Sequence, residues 1–318
     1  MPMCLGMTNI IAPILSPKEF TEFMIKYKPN HTITVPTYVE HFVHDRKADS
    51  MNWKCLKNLG IGGDYFPEQS EIYVNEFLKN HGSSSIAEKG YGMTENSSTA
   101  GVCLVGVNKT NSLGIPLPLN TYGIFERGTD KELKYGEEGE ICITGPTAML
   151  GYLDNEEEEG KVIKIHSDGK KWIHSEDVGI IDEDGFLFFK GRYKRLIPHG
   201  GFKLYPSYIE GVIMKHPDID NCCVISIPDK VYGASPEAHV VIKKDSVSEL
   251  KKLKEELIKL CQDKLPSYSQ PEDFIFEEHL PLTSVGKVDY KKVEKMRIKK
   301  LEESTKSVSY THLTLPTT

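Results

Sequence analysis

Apolar residues recur at helical spacing through Pro17-Lys-Glu-Phe-Thr-Glu-Phe-Met-Ile-Lys26, which predicts an amphipathic helix. The run Thr32-Ile-Thr-Val-Pro36 then predicts a buried strand closed by proline, and Leu56 to Ile61 predicts another apolar strand. Glu71 to Leu78 predicts a second amphipathic helix that ends near Gly82. Glu140-Ile-Cys-Ile-Thr-Gly145 and Gly185-Phe-Leu-Phe-Phe-Lys190 are β signals bounded by glycine or acidic turn residues. This alternation, from residue 1 to about 190, is the pattern of an α/β domain.

After residue 192 the pattern changes. Tyr208 to Met214 predicts a short helix, and Cys222 to Ile227 and His239 to Lys243 predict strands. Ser248 to Lys264 predicts a long helix with Leu250, Leu253, Leu257 and Leu260 on one face, and Asp273 to Glu277 a further strand. These elements describe a small α+β unit with its own core, joined through Gly191-Arg-Tyr-Lys-Arg195. The threonine- and serine-rich end, Ser307 to Thr318, has no period and is expected to be an unstructured or non-native tail. The acidic run Asp154 to Glu159 is expected to be a solvated loop or helix start, because adjacent carboxylates point in different directions.

Composition narrows the function classes. A net charge of -7 gives no basic footprint for nucleic acid. No apolar run approaches the ~20 residues that span a bilayer, and Met1 to Met7 lacks the basic and apolar regions of a signal peptide. The seven cysteines are scattered without a CxxC pair, and the histidines form no HxxxH or HExxH arrangement. Reduced thiols in a cytoplasmic protein, with no structural metal, are the expectation.

Several short segments carry candidate chemistry. Tyr91-Gly-Met-Thr-Glu95 gathers an aromatic ring, a glycine, a hydroxyl and a carboxylate within one turn of chain. The ring can stack on a purine, Gly92 can admit close backbone approach, Thr94 can donate to phosphate and Glu95 can hold magnesium. A strand end followed by a turn is the competing reading. Gly62-Gly63-Asp64 follows an apolar strand and can lie against a flat ligand. Asp177 can accept from both hydroxyls of a ribose, or simply open a turn before Gly179. Arg192 can add donors to the same sugar, or sit on the domain surface. Gly200-Gly201 can line a narrow channel or form a plain turn. Lys287, beside Gly286, offers a mobile cation.

The order of these segments resembles the adenylate-forming superfamily of acyl-CoA synthetases, peptide-synthetase adenylation domains and luciferases. Tyr91-Gly-Met-Thr-Glu95 matches its Tyr-Gly-x-Thr-Glu motif. Gly136 to Gly145, followed by Gly151-Tyr-Leu153, resembles its glycine-rich strand pair, and Gly191-Arg-Tyr-Lys194 its hinge. Pro281-Leu-Thr-Ser-Val-Gly-Lys-Val-Asp289 resembles its lysine motif. The likeness covers residues 10 to 298, with two departures. Ser175-Glu176-Asp177 stands where the family has Thr-Gly-Asp, and the glycine- and serine-rich phosphate loop is absent from these 318 residues.

The resemblance implies an α/β fold, the C-terminal portion of a large layered α/β adenylation domain followed by a small α+β C-terminal domain. The implied boundaries are 1–192 for the partial large domain, 193–195 for the hinge, 196–298 for the small domain and 299–318 for the tail. The chain would then begin inside the large domain. Implied ligands are ATP or AMP, Mg2+ and coenzyme A, with a fatty or aryl carboxylic acid as substrate in fatty acid metabolism. By resemblance, Lys287 bridges carboxylate and α-phosphate, with Thr94 at the phosphate and Glu95 at magnesium. Gly62, Gly63, Asp64, Tyr91, Gly92 and Met93 frame adenine, Asp177 and Arg192 hold ribose, Lys194 is the hinge, and Gly200 and Gly201 reach the pantetheine channel. Little activity is expected of these residues without the phosphate loop. A peptide-synthetase adenylation domain is an alternative, but no carrier serine follows residue 298. A non-catalytic nucleotide-binding relative is the other.

Overall fold

The computed structural model describes residues 2–11, 16–243, 246, 249–283 and 287–311. The helix start at Ser248, the motif positions Ser284, Val285 and Gly286, and tail residues 312–318 lie outside the described residues. The chain divides into two compact units, one of residues 1–175 and 180–188, the other of 176–179 and 189–318.

After a short 3-10 turn at Pro2–Leu5, the first α-helix of the first unit is α1, Pro17–Tyr27. Its start is set locally: Ser16 and Glu19 cap each other, the Glu19 backbone N–H donating to the Ser16 hydroxyl at 3.3 Å and the Ser16 N–H to the Glu19 carboxylate at 2.7 Å. Strand β1, His31–Thr34, is followed by α2, Pro36–His44, with Pro36 preset for the first helical turn rather than closing the strand. A single helical turn, α3 (Arg46–Asp49), leads to β2 (Asn58–Ile61), then α4 (Glu68–Asn80), β3 (Ala87–Met93), β4 (Ser98–Val102) and β5 (Ile115–Pro116). The sheet order is β1-β2-β3-β4-β5; β1, β2 and β3 are mutually parallel, and β4 turns back antiparallel on β3. Trp53, Phe42, Met24, Leu59 and Leu78 are fully buried in the core, where the Trp53 indole N–H donates to the Ala48 carbonyl at 2.9 Å.

The predicted helix across Glu71 differs in one respect. Glu71 does not face water: it is fully buried and paired with Lys89 of β3, Nζ to Oε2 at 2.6 Å. Charge pairing across 18 residues overrides the polar-outside rule here.

A second sheet has the order β10-β9-β7-β6, with β8 paired to β9. Its strands are β6 (Thr121–Phe125), β7 (Gly139–Thr144), β8 (Ile163–Ile165), β9 (Lys171–Ile181) and β10 (Leu187–Arg192). Helix α5, Glu156–Val162, begins inside the acidic run, capped by Asn155 and with no buried residue. Four glutamates in its first turn suit the positive helix N-terminus.

The second unit contains a hairpin of β11 (Ile197–His199) and β12 (Phe202–Leu204), then helix α6, Pro206–Ile213. Strands β13 (Ile219–Asp229) and β14 (Gly233–Ile242) pair antiparallel, and β15 (Asp273–Glu277) joins β14 in parallel. Helix α7, Leu250–Lys264, buries Leu253, Leu257 and Cys261. Leu250, predicted on this face, lies in its first turn and is exposed, while Leu260 is only partly buried. Helix α8, Tyr290–Thr311, extends into the segment that the sequence marks as tail.

One buried network makes this unit acid-sensitive. Glu237 on β14 accepts from the Arg297 guanidinium at 2.7 and 2.8 Å and contacts the His239 ring at 3.2 Å. Burial works against its charge, but the His239 and Arg297 contacts prevail and hold its carboxyl well below the ordinary value of 4.5, at about 2. A depressed folded-state pKa contributes stability above the ordinary value and loses it as pH falls from about 4.5 toward 2. Glu237→Gln is therefore expected to cost roughly 2–3 kcal/mol near neutrality and to lose that difference by about pH 2. Amide exchange of β13 to β15 across this range measures it, and a pH-independent difference would refute the assignment.

Candidate functional site

Because β2 and β3 are parallel neighbours, with Ile61 opposite Lys89, their C-terminal ends leave one edge of the sheet. Gly62-Gly63-Asp64 follows β2, and Tyr91 to Glu95 completes β3 and the short turn Thr94–Asn96. In open α/β sheets this carboxyl edge is where ligands bind. The Gly62 N–H donates to the Thr34 carbonyl at 3.1 Å, tying in the end of β1 as well. Gly63 has φ +84°, a left-handed conformation that favours glycine. Asp64 is exposed, its carboxylate accepting from the Tyr65 N–H at 2.9 Å.

Within the motif on β3, several residues also have packing partners in the protein. A Cβ at Gly92 would sit 1.8 Å from the Ser98 carbonyl oxygen, where the β3–β4 ladder shifts register. Glycine is thus required by the neighbouring strand, independently of any ligand. Tyr91 is only 8% exposed and meets Tyr122 edge to face, ring centroids 6.1 Å apart. Its ring is thus largely enclosed by protein at this edge. Met93 is partly buried, and Thr94 is exposed. Glu95 is partly buried; one of its oxygens accepts from the Tyr152 phenol, and its backbone carbonyl accepts from the Met149 N–H at 2.7 Å. Tyr152 has its own ionisation pushed up to about 12, first by burial and then by that bond to Glu95.

Tyr152 was not singled out from sequence, although Gly151-Tyr-Leu153 is part of the motif set. Its distance of 57 residues from Glu95 hides the contact. Asn96 is also buried, with its Oδ1 accepting from the Thr147 hydroxyl at 2.9 Å while its Nδ2 lacks a partner among the described residues.

Asp177, Arg192, Lys194, Gly200, Gly201 and Lys287 belong to the second unit. Arg192 Nε lies 3.0 Å from Asp177 Oδ1; the aspartate is buried and the arginine exposed. This pairing orients the carboxylate without enclosing it. Glu176 has φ +57°, which explains the family glycine at this position: the backbone here is left-handed. In this chain the substituting carboxylate pairs with Lys194. Gly191 also has a packing reason, since a Cβ there would meet the Tyr205 ring at 2.6 Å.

Gly200 and Gly201, with φ +54° and +89°, form the tight turn joining β11 to β12, with His199 opposite Phe202. Positive φ at both central residues is what such a two-residue hairpin demands. Lys287 is exposed, its carbonyl accepting from the Thr283 N–H at 2.7 Å and its own N–H donating to the Thr283 hydroxyl at 3.2 Å. Leu282 and Val288 bridge on either side, so the backbone under Lys287 is anchored.

Comparison with solved structures identifies the class of fold. The anthranilate CoA ligase in complex with anthranoyl-AMP matches with a TM-score of 0.79 and 21% identity, over 91% of this chain and 54% of that one. The o-succinylbenzoate CoA synthetase of Bacillus subtilis with its acyl-adenylate intermediate gives a TM-score of 0.77 and 24% identity, over 92% and 56%. The fold is that of adenylate-forming enzymes, with part of a large α/β domain and a small C-terminal one. Sequence profiles agree: that of the AMP-binding enzyme matches residues 1–153, and that of the AMP-binding enzyme C-terminal domain matches residues 208–287. The chain belongs to the AMP-binding enzyme family.

Among its relatives are the probable 4-coumarate–CoA ligase 1 of Dictyostelium discoideum, 32% identical over 285 residues, and the long-chain-fatty-acid–CoA ligase of Bacillus subtilis, 30% identical over 304. These alignments take in 89% and 95% of this chain but 50% of each relative. The chain thus spans about half the length of the curated relatives it matches. No helix among the described residues is long and apolar enough to cross a membrane.

Proposed function

We propose that this chain carries adenylate- and thioester-forming elements of an AMP-forming acid–thiol ligase. A carboxylate oxygen attacks the α-phosphorus of ATP and pyrophosphate leaves; the coenzyme A thiol, losing its proton, then attacks the acyl carbon and AMP leaves. The observation that carries this reading is the shared carboxyl edge of parallel β2 and β3, which bears Gly62-Gly63-Asp64 and Tyr91 to Glu95 together.

In this reading Gly62, Gly63, Asp64, Tyr91, Gly92 and Met93 frame the adenine, and Thr94 donates to phosphate. Tyr152 engages one oxygen of Glu95, and the other is a hard donor suited to Mg2+, which would offset phosphate charge. Asp177 accepts from the ribose hydroxyls while Arg192 steadies it. Lys287 supplies the cation between carboxylate and α-phosphate. Residues 193–195 are the hinge between domains 1–192 and 196–298, with Lys194 turning against Glu176, and Gly200-Gly201 shape the thiol channel. The substrate class is a fatty or aryl carboxylic acid.

Calorimetric titration with AMP tests the nucleotide site directly. Charge-assisted hydrogen bonds are worth about 1.5–3 kcal/mol, so Asp177→Ala is expected to weaken AMP binding by roughly 10- to 100-fold. Equal affinity in the two proteins would remove the ribose role.

A further inference from the structure

The first unit holds a second cluster that the nucleotide chemistry does not use. Glu140 and Cys142 are two residues apart on β7, so their side chains fall on one face of the sheet, and His174 reaches the same place from β9. Their donor atoms, a carboxylate oxygen, a thiol sulfur and an imidazole nitrogen, all lie within 4.8 Å of one another, and all three residues are buried. His174 Nδ1 is 2.9 Å from Glu140 Oε2 and 3.5 Å from Cys142 Sγ. All three donor atoms therefore converge on one point between the strands, with the ring nitrogen shared by the carboxylate and the sulfur. A cation at that point is satisfied by all three.

We propose that Glu140, Cys142 and His174 bind a borderline-soft divalent cation, zinc(II), which clamps β7 to β9. Sulfur, imidazole and carboxylate together form a zinc donor set, whereas Mg2+ and Ca2+ take oxygen alone. Thiolate and carboxylate contribute two negative charges, matching a dication in a buried place where a net charge is costly.

The surroundings supply the outer support that metal-bound histidines have. His166, at the end of β8, places Nε2 2.9 Å from His174 Nε2, so it accepts the proton that ligation through Nδ1 leaves on the far side of the ring. His166 is itself held against Trp172, stacked with ring centroids 5.5 Å apart, and edge-on to Phe125 at 4.6 Å. The Gly128 N–H donates to Glu140 Oε2 at 3.1 Å, fixing the carboxylate. The sequence concealed the site because His174 stands 34 residues from Glu140 and only the β7–β9 pairing joins them.

The test uses the whole chain and the metal ion alone. One equivalent of Co2+ should produce an intense thiolate-to-cobalt charge-transfer band, which one equivalent of Zn2+ removes by displacement. Cys142→Ser should abolish the band, and Cys55→Ser, outside the cluster, should keep it. X-ray absorption of the zinc-loaded wild-type chain should show one sulfur at about 2.3 Å together with nitrogen and oxygen. That spectrum decides the question even if Cys142→Ser does not fold. Absence of a band at one equivalent, a band that survives Cys142→Ser, or a zinc shell of several sulfurs would each overturn the site.

Discussion

Lys287→Ala is expected to lower acyl-adenylate formation by about 10²- to 10³-fold while leaving thioester formation from a supplied acyl-adenylate within a few-fold of wild type. The magnitude is that of removing one preorganised donor from a developing charge. The asymmetry follows from the chemistry: only the first half-reaction brings a carboxylate against a polyphosphate and so requires a cation between them. The bonds between Lys287 and Thr283 and the Leu282–Val288 bridge fix the backbone beneath the side chain, so alanine removes charge and reach with little change of loop. Lys287→Arg keeps the charge but alters its shape, and intermediate loss is expected. The two half-reactions are assayed separately, the first on a polypeptide that also carries a phosphate loop. Equal loss in both would remove the proposed role.

Glu71→Gln is expected to destabilise the first unit by about 3–5 kcal/mol, the usual cost of leaving one member of a buried ion pair without its partner. Glu71 on α4 and Lys89 on β3 are almost completely screened from water, and the same Glu71 oxygen also accepts from the Asn111 N–H at 2.8 Å. Glutamine keeps the shape and removes the countercharge, so a buried ammonium remains. Replacing both residues by methionine should recover much of the loss, because the desolvation of two ions then disappears from the folded state. Both tryptophans, Trp53 and Trp172, lie in the first unit, so their fluorescence in a urea titration reports this unit. A single-variant loss below about 1 kcal/mol would show that the pair is already solvated. Lys89 lies two residues before Tyr91 on the same strand, and the pair therefore also holds the motif strand in place.

Much of the architecture is legible along the chain because its signals are local. The Ser16–Glu19 cap, the leucine face of α7 and the apolar runs of β2, β7 and β13 need only near neighbours to be read. Leu250 and the boundary at Pro36 shift because helix ends are exposed and proline serves a helix start as readily as a strand end. The motif glycines were visible, yet their reasons were not. Gly92 answers to Ser98 across a bulge, and Gly200-Gly201 to a tight hairpin.

By itself the sequence determined the family, because the order of motifs such as Tyr91 to Glu95 and the segment around Lys287 resembles that of AMP-binding enzymes. Only the tertiary structure decided which side chains steady those motifs. Tyr152 on Glu95, Arg192 on Asp177, Lys194 on Glu176 and Lys89 on Glu71 are pairings between residues 15 to 57 positions apart. The physical reason is the range of the forces: helical and strand periodicity is written over a few residues, whereas charge pairing and donor convergence depend on which strands become neighbours. Glu140, Cys142 and His174 are the sharpest case, anonymous in the sequence and brought within 4.8 Å by the sheet.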